Sequence, residues 1–241
     1  MKFVNKLVKG TLLKRYKRFL TDVELDDGRI VIAHCPNTGA MHGCAEPGYE
    51  VWLSISDNPK RKLAFTWELA VTKQGQWIGI NTHNANKVIA QAFAEQKIEE
   101  LAGYDEIRSE VKYGEEGSRI DFFLRQTYRA AENKGLADCY VEVKSVTLLQ
   151  DKQGFFPDAP TVRGQKHLRE LRVMLQQGHR AVLLYCVQHS GIDSVRVAQH
   201  IDPDYALELT LAMSAGLEVL CYSTKINQEK IVINQRLPFM P

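Results

Sequence analysis

The sequence predicts a small β-barrel followed by an α/β domain with a mixed sheet, and three observations carry that prediction. Apolar residues alternate with period two as far as residue 82 and recur with a period near 3.6 from residue 84. Turn-forming residues punctuate the first stretch between short runs. The charge balance also shifts there: residues 1–83 hold 12 basic and 8 acidic side chains, and residues 84–241 hold 19 and 21. We therefore expect two domains, 1–83 and 84–241, the first better suited to a polyanion.

In the first domain the strand-like runs are Gly10 to Leu25, Arg29 to Cys35, Tyr49 to Ser56, Leu63 to Thr72 and Gln76 to Asn81. Asp26-Asp27-Gly28 separates the first two as a hairpin turn, because glycine tolerates positive φ. Lys73-Gln74-Gly75 closes the last pair in the same way. Five such strands with no helix between them fit a barrel that leaves no free sheet edge; the oligonucleotide-binding type is one, and an SH3-like barrel is another.

In the second domain Val88, Ile89, Ala92, Phe93 and Gln96 share one helical face, which predicts a helix from 84 to 102 with Asn84 or Asn86 as its cap. Strands are expected at Ile107 to Tyr113, Arg119 to Leu124 and Cys139 to Val146. A helix from Thr161 to Gln177 ends at Gly178, and the apolar run Ala181 to Val187 reads as a strand buried on both faces. Asp202-Pro203 caps and starts a third helix, and Leu217 to Tyr222 is another strand. The order αβββαβαβ implies a mixed sheet flanked by helices.

With 241 residues, 44% hydrophobic and 25% charged, the chain has a globular composition. It contains no uncharged apolar run long enough to span a bilayer, and lysines interrupt its N-terminal apolar residues, so no membrane association and a cytoplasmic location are expected. Five scattered cysteines without C-x-x-C argue for reduced thiols. The spacing His34-Cys35 to His42-x-Cys44 matches no common zinc site. No G-x-S-x-G, G-x-x-x-x-G-K or G-x-G-x-x-G occurs.

The chemistry concentrates on two adjacent strands. In Ser118-Arg119-Ile120-Asp121-Phe122, alternation sets Asp121 opposite Ile120 and Phe122; in Cys139 to Lys144, Glu142 and Lys144 share the face opposite the valines. Two carboxylates brought close repel unless a cation lies between them or one is protonated, so Asp121 and Glu142 are the candidate metal ligands, with Mg²⁺ the expected ion. Lys144 would stand beside them, able to orient a nucleophile or stabilise charge on a phosphoryl oxygen. Asp121, Glu142 and Lys144 are thus the candidate catalytic residues of a metal-dependent nuclease. Glu-x-Lys occurs four times: the Glu95 copy lies in the expected first helix, where i and i+2 point apart, the Glu132 copy lies in a polar linker, and the Glu110 copy is on a strand that no aspartate-bearing strand directly precedes.

Candidate DNA contacts come from three places. Lys14, Arg15, Lys17 and Arg18 interleave with Tyr16 and Phe19 on an expected barrel strand, where alternation would send at least one aromatic to the core. Lys60, Arg61 and Lys62 form a second basic cluster in a loop. Arg163 and Lys166 lie at or near the first turn of the second helix, where free N–H groups favour an anion; His167 beside them reads as part of a solvated basic helix end. Asp158, in the loop before that helix, is a turn residue or a supporting acid.

The segments HCPNTG (34–39), SRIDF (118–122), EVKSVTL (142–148), FPDAPTVRGQKHLREL (156–171) and HIDPDYA (200–206) together resemble the bacterial sugar fermentation stimulation protein A family. The resemblance spans nearly the whole chain. It implies an oligonucleotide-binding-type barrel followed by a domain similar to the PD-(D/E)xK nucleases, in a protein that binds DNA without sequence preference and has a proposed regulatory role in maltose and sugar catabolism. The nuclease-like motif maps onto Asp121, Glu142 and Lys144, with Ile120 where the motif's name has proline. Nucleases of this fold often add an acid from the first helix, for which Glu95, Glu99 and Glu100 are the candidates.

Overall fold

In the computed structural model, which describes residues 1–128 and 135–241, the first domain closes on itself. Strands β1 (Val8–Tyr16), β2 (Leu20–Leu25), β3 (Ile30–His34), β4 (Glu50–Ile55) and β5 (Phe65–Val71) pair in the cyclic order β1-β2-β3-β5-β4. The parallel pairs Ala33–Phe65 and His34–Thr66 close the ring. A short β6 (Trp77–Gly79) adds to β5 outside it. The core cluster of this domain includes Val23, Val51, Leu53 and Trp67 of the ring, together with Ile78 of β6.

One expectation here is corrected. The run Gly10 to Leu25 is two strands, because Lys17 and Arg18 take φ of 48° and 62° and reverse the chain, setting Tyr16 opposite Leu20. A three-residue hairpin loop is usually announced by a glycine in its left-handed position, and Lys17-Arg18-Phe19 gives no such signal. Alternation therefore does not govern residues 14–19: Tyr16 is half-buried, Phe19 is 48% exposed, and neither belongs to the core. Gly28 and Gly75, at φ 83° and 78°, make the two turns that glycine does announce.

The second domain begins with α1 (Asn84–Ala94), which buries Val88, Ile89, Ala92 and Phe93. It ends short of the expected residue 102, since Gln96 turns to φ 53° and Glu99–Leu101 forms a separate 3₁₀ turn. Neither Asn84 nor Asn86 caps it; His83 occupies the cap position without a side-chain hydrogen bond. The following elements are β7 (Glu106–Tyr113), β8 (Ser118–Arg125), β9 (Cys139–Val146), β10 (Leu148–Gln150), β11 (Gln153–Phe156), α2 (Val162–Gln176) and β12 (Arg180–Val187). Then come β13 (Ser194–Val197), α3 (Pro203–Ser214), β14 (Glu218–Ile226), β15 (Ile231–Arg236) and β16 (Phe239–Met240).

The main sheet has the order β15-β14-β12-β9-β8-β7, parallel between β9, β12 and β14 and antiparallel elsewhere. α1 covers one face, packing with Phe122, Val141, Val143 and Leu184; α2 and α3 cover the other, with Leu168, Leu171, Tyr205 and Leu209 against Ile120, Leu183 and Tyr185. Every β12 side chain after Arg180 is buried, each large apolar one contributing about 1.5–3 kcal/mol. The helix ends form as expected: Thr161 Oγ1 accepts from Gly164 N at 3.0 Å, Gly178 sits at φ 86°, and Asp202 Oδ1 accepts from Tyr205 N at 2.9 Å. A smaller sheet, β10-β11-β13-β16, goes beyond the sequence expectation; its strands are too short to show a period. Among the described residues no helix is long and apolar enough to cross a membrane.

The two domains are stitched by backbone. Gly79 N donates to Gln188 O at 2.8 Å and Ser190 N to Trp77 O at 2.9 Å, so the edge strand of the barrel continues onto the end of β12. Leu7 and Leu69 of the barrel also join the core beneath α1.

Candidate active site

Asp121 lies where β8 separates from β9. The two strands pair only from Phe122–Val141 to Leu124–Cys139, and beyond that point Val143 N, with no strand partner there, donates to Asp121 Oδ2 at 2.7 Å. Asn86 Nδ2, from the first turn of α1, donates to Oδ1 at 2.7 Å. The strict alternation expected around Asp121 does not hold: Ile120 packs beneath α2 and α3, while Phe122 packs beneath α1.

Glu142 is 2% exposed in the middle of β9. Its Oε1 accepts from Lys144 Nζ at 2.6 Å and is hydrogen-bonded to Nδ1 of His167, on α2. Arg163 Nε donates to His167 Nε2 at 3.4 Å, which assigns the ring proton to Nδ1 and aims it at the carboxylate. Glu142 Oε2 is buried without a hydrogen-bond partner among the described residues. His167, expected on a solvated helix end, is instead 4% exposed and touches the central acid, because α2 turns it onto Glu142; the i to i+4 step from Arg163 is its only sequence signal.

The electrostatics of the two acids differ. Burial, with the nearby charge of Glu142, pushes Asp121 up to about 6. Burial opposes ionisation of Glu142 as well, but Lys144 and His167 outweigh it and hold that carboxyl below its ordinary range. Burial, followed by the charges of Glu142, Glu170 and Asp121, also raises the Tyr113 hydroxyl behind the site.

Asn86, Val143 and Lys144 form part of the lining of a cavity of about 480 Å³ between the domains. The barrel lines it with Arg18, Asn37, Thr38 and Gly39, and the second domain adds Phe155, Asp158 and Arg163. Asp158 spans the joint: its Oδ2 accepts from Met41 N at 3.2 Å, and a Cβ on Gly39 would lie 2.2 Å from that oxygen.

The sequence-predicted residues therefore divide. Asp121, Glu142 and Lys144 come together, with Arg18 and Arg163 on the adjoining cavity. Arg15 instead braces the barrel, Nη2 donating to Asn37 O at 2.9 Å and Gly39 O at 3.1 Å. Lys14 pairs with Asp22 at 3.3 Å. Lys166 donates to Glu116 O at 2.6 Å and does not line the cavity. Lys17, Lys60, Arg61 and Lys62 are exposed, with Arg61 also donating to Thr66 Oγ1 at 2.7 Å. The helix acids are elsewhere: Glu95 pairs with Lys97 at 2.6 Å, Glu100 with Arg236 and Tyr222, and Glu99 lies in the 3₁₀ turn. Of the decoys, Glu110 is exposed at φ 55°, and Glu132-Asn133-Lys134 lies outside the described residues. Among the described residues no three His, Cys, Asp or Glu side chains form a metal-holding group.

Barrel, mixed sheet and cleft define a two-domain protein in which an oligonucleotide-binding-type barrel is docked on an α/β domain carrying a pair of acids, Glu142 buried and Asp121 half-buried. The family model described as the sugar fermentation stimulation protein RE domain matches residues 83–230, and the SfsA N-terminal OB domain matches residues 13–80. The chain belongs to the sugar fermentation stimulation protein family. Relatives named sugar fermentation stimulation protein homolog are 62% identical in Pseudoalteromonas atlantica, over 100% of both chains, and 56% identical in Shewanella loihica, over 94% of each. The solved structure of Pyrococcus furiosus SfsA in complex with Ca²⁺ is similar with a TM-score of 0.86 at 25% identity, covering 100% of this chain and 98% of its own.

Proposed function

We propose that this protein binds DNA through the phosphate backbone, without sequence preference, and that its interdomain cleft is a divalent-cation-dependent site for phosphodiester hydrolysis. The observation that carries the hydrolytic reading is the acid pair: Glu142 Oε2 has no partner among the described residues, and burial beside Glu142 holds Asp121 near 6. Such a pair fits a hard cation with oxygen ligands, and Mg²⁺, which keeps several waters, needs few protein ligands. The Ca²⁺ complex of the Pyrococcus furiosus relative supports the same class of ion.

Asp121 and Glu142 would hold the cation. Once bound, it would supply Lewis-acid polarisation of the phosphoryl group and a more acidic water. Asn86 and Val143 N orient the Asp121 carboxylate, and His167 fixes Glu142. Lys144, sharing Glu142 Oε1, offers its ammonium to charge developing on the phosphoryl oxygens, and Arg163 supplies a second cation at the cavity wall. Exposed Lys17, Lys60, Arg61 and Lys62 extend the phosphate-binding surface over the barrel.

The test is incubation with supercoiled, linear and single-stranded DNA in Mg²⁺, Mn²⁺ or EDTA beside Asp121→Ala. Cleavage that requires both metal and Asp121, with gel-shift binding retained by the variant, is the expected result; binding without cleavage of any of these DNAs would overturn the hydrolytic half. A regulatory role in sugar catabolism, maltose included, rests on the binding half alone, so the Asp121→Ala protein separates the two.

A further inference from the structure

We propose that Arg18 and Thr38 form a second phosphate subsite on the barrel wall of the cleft, so that the site grips an internal nucleotide of a strand by the phosphates on both of its sides. The inference rests on the cleft being a phosphodiester site, and it adds the class of substrate: a polynucleotide segment rather than a free mononucleotide.

Three independent features lead there. The first is backbone conformation. The β2–β3 and β5–β6 turns of the barrel place glycine in the left-handed region, at Gly28 and Gly75, whereas the β1–β2 turn places Lys17 and Arg18 there. The same conformation recurs at Gln96, Glu110, Asp151 and Lys152, so its contribution here is positional: it carries the Arg18 side chain to the cavity wall. The second is the absence of a competing partner. Arg18 lines the cavity but makes no hydrogen bond or ion pair with any described residue, whereas Arg15 is spent on carbonyls and Lys14 on Asp22.

The third is the rigidity of the wall beside it. Arg15 holds the carbonyls of Asn37 and Gly39, Asn37 Oδ1 accepts from Gly39 N at 2.9 Å, and Asp158 receives Met41 N. This fixed turn presents Thr38, exposed and with no side-chain partner among the described residues, to the same cavity as Arg18. The charged lining is then Arg18, Lys144 and Arg163 against Asp158, whose carboxylate is already engaged. A volume of about 480 Å³ suits one nucleotide with its two phosphates rather than a base pair with both backbones.

Calorimetric titration with thymidine 3′,5′-bisphosphate and thymidine 5′-monophosphate, in Ca²⁺, tests the subsite without relying on turnover. The wild type should prefer the bisphosphate by about tenfold, the size of one charge-assisted hydrogen bond. Arg18→Gly should lower bisphosphate affinity to that of the monophosphate while leaving Tm unchanged or raised, because glycine suits the left-handed turn. Lys17→Gly, altering the same turn, should keep the preference. An Arg18→Gly protein that retains the preference, or a wild type that binds both ligands equally, overturns the second subsite alone. A wild type that binds neither removes the phosphodiester reading of the cleft along with it.

Discussion

Asn86 Nδ2 stands 2.7 Å from Asp121 Oδ1, so the first helix meets the aspartate with a neutral amide where a carboxylate was expected. The amide satisfies one oxygen without cancelling its charge, and Asp121 keeps the need for a cation. In EDTA, Asn86→Asp should lower Tm by adding a third acid, and millimolar Mg²⁺ should restore it. Asp121→Asn should show no Mg²⁺-dependent rise. Thermal melts with and without metal check this, and an equal metal response in wild type, Asn86→Asp and Asp121→Asn would contradict it.

Removing His167 should expose the cost of the acid it supports. His167→Ala leaves a carboxylate that is 2% exposed with Lys144 alone, and loss of a hydrogen bond to a buried charged group costs about 2 kcal/mol. In a Glu142→Gln background the buried charge is gone, and the same substitution should cost about 1 kcal/mol. Urea unfolding of the four proteins closes the cycle; additive losses would show that His167 acts by packing only.

The clasp between the domains can be tested at Gly39. Its backbone permits alanine, but the added Cβ would lie 2.2 Å from Asp158 Oδ2 and push that carboxylate off Met41 N. Gly39→Ala should cost about 1–2 kcal/mol, one charged hydrogen bond, and nearly nothing once Asp158→Ala has removed the obstacle. Equal costs in both backgrounds would place the strain elsewhere.

His189 makes the joint sensitive to acid. It bridges to Ile78 of β6, is 3% exposed, and burial lowers its pKa from 6.5 to about 4. The unfolded chain takes up this proton below pH 6.5 while the folded chain resists it, so stability is complete above 6.5 and falls as the pH drops towards 4. The loss is up to about 3 kcal/mol. His189→Asn should flatten the stability profile across that window, and a profile of unchanged slope would assign the acid sensitivity to other groups.

The basic residues of the barrel should separate by role in DNA binding. Lys17→Glu and Lys62→Glu should weaken binding equally on all sequences and reduce the logarithmic salt slope by about one for each phosphate no longer neutralised. Arg15→Ala should instead lower Tm, because Arg15 holds the carbonyls of Asn37 and Gly39. A salt slope unchanged by both lysine reversals would remove these residues from the interface.

Much of the site is legible in sequence because strands and charges are local signals. The alternation through Cys139 to Lys144 brings Glu142 and Lys144 to one face, and their heads meet at 2.6 Å. The alternation through Ile120 and Phe122 misleads, since β8 leaves β9 at Asp121 and from there keeps only β7 as a partner. Asn86 carries the signal of a cap and His167 that of a solvated helix end, because each acquires its role from a partner on another element.

The barrel strands, the three helices and the meeting of Glu142 with Lys144 follow from periodicities that act within a few positions of the chain, with capping residues marking the starts of α2 and α3. Long-range packing selects which loops face each other: it turns the chain at Lys17-Arg18 without a glycine, closes the ring through β3 and β5, and sets Asn37–Gly39 against Asp158. The difference is one of range. A helix face or a turn is selected by neighbours along the chain, whereas a cleft between domains arises only when residues 117 positions apart, as Met41 and Asp158 are, find that they can share one hydrogen bond.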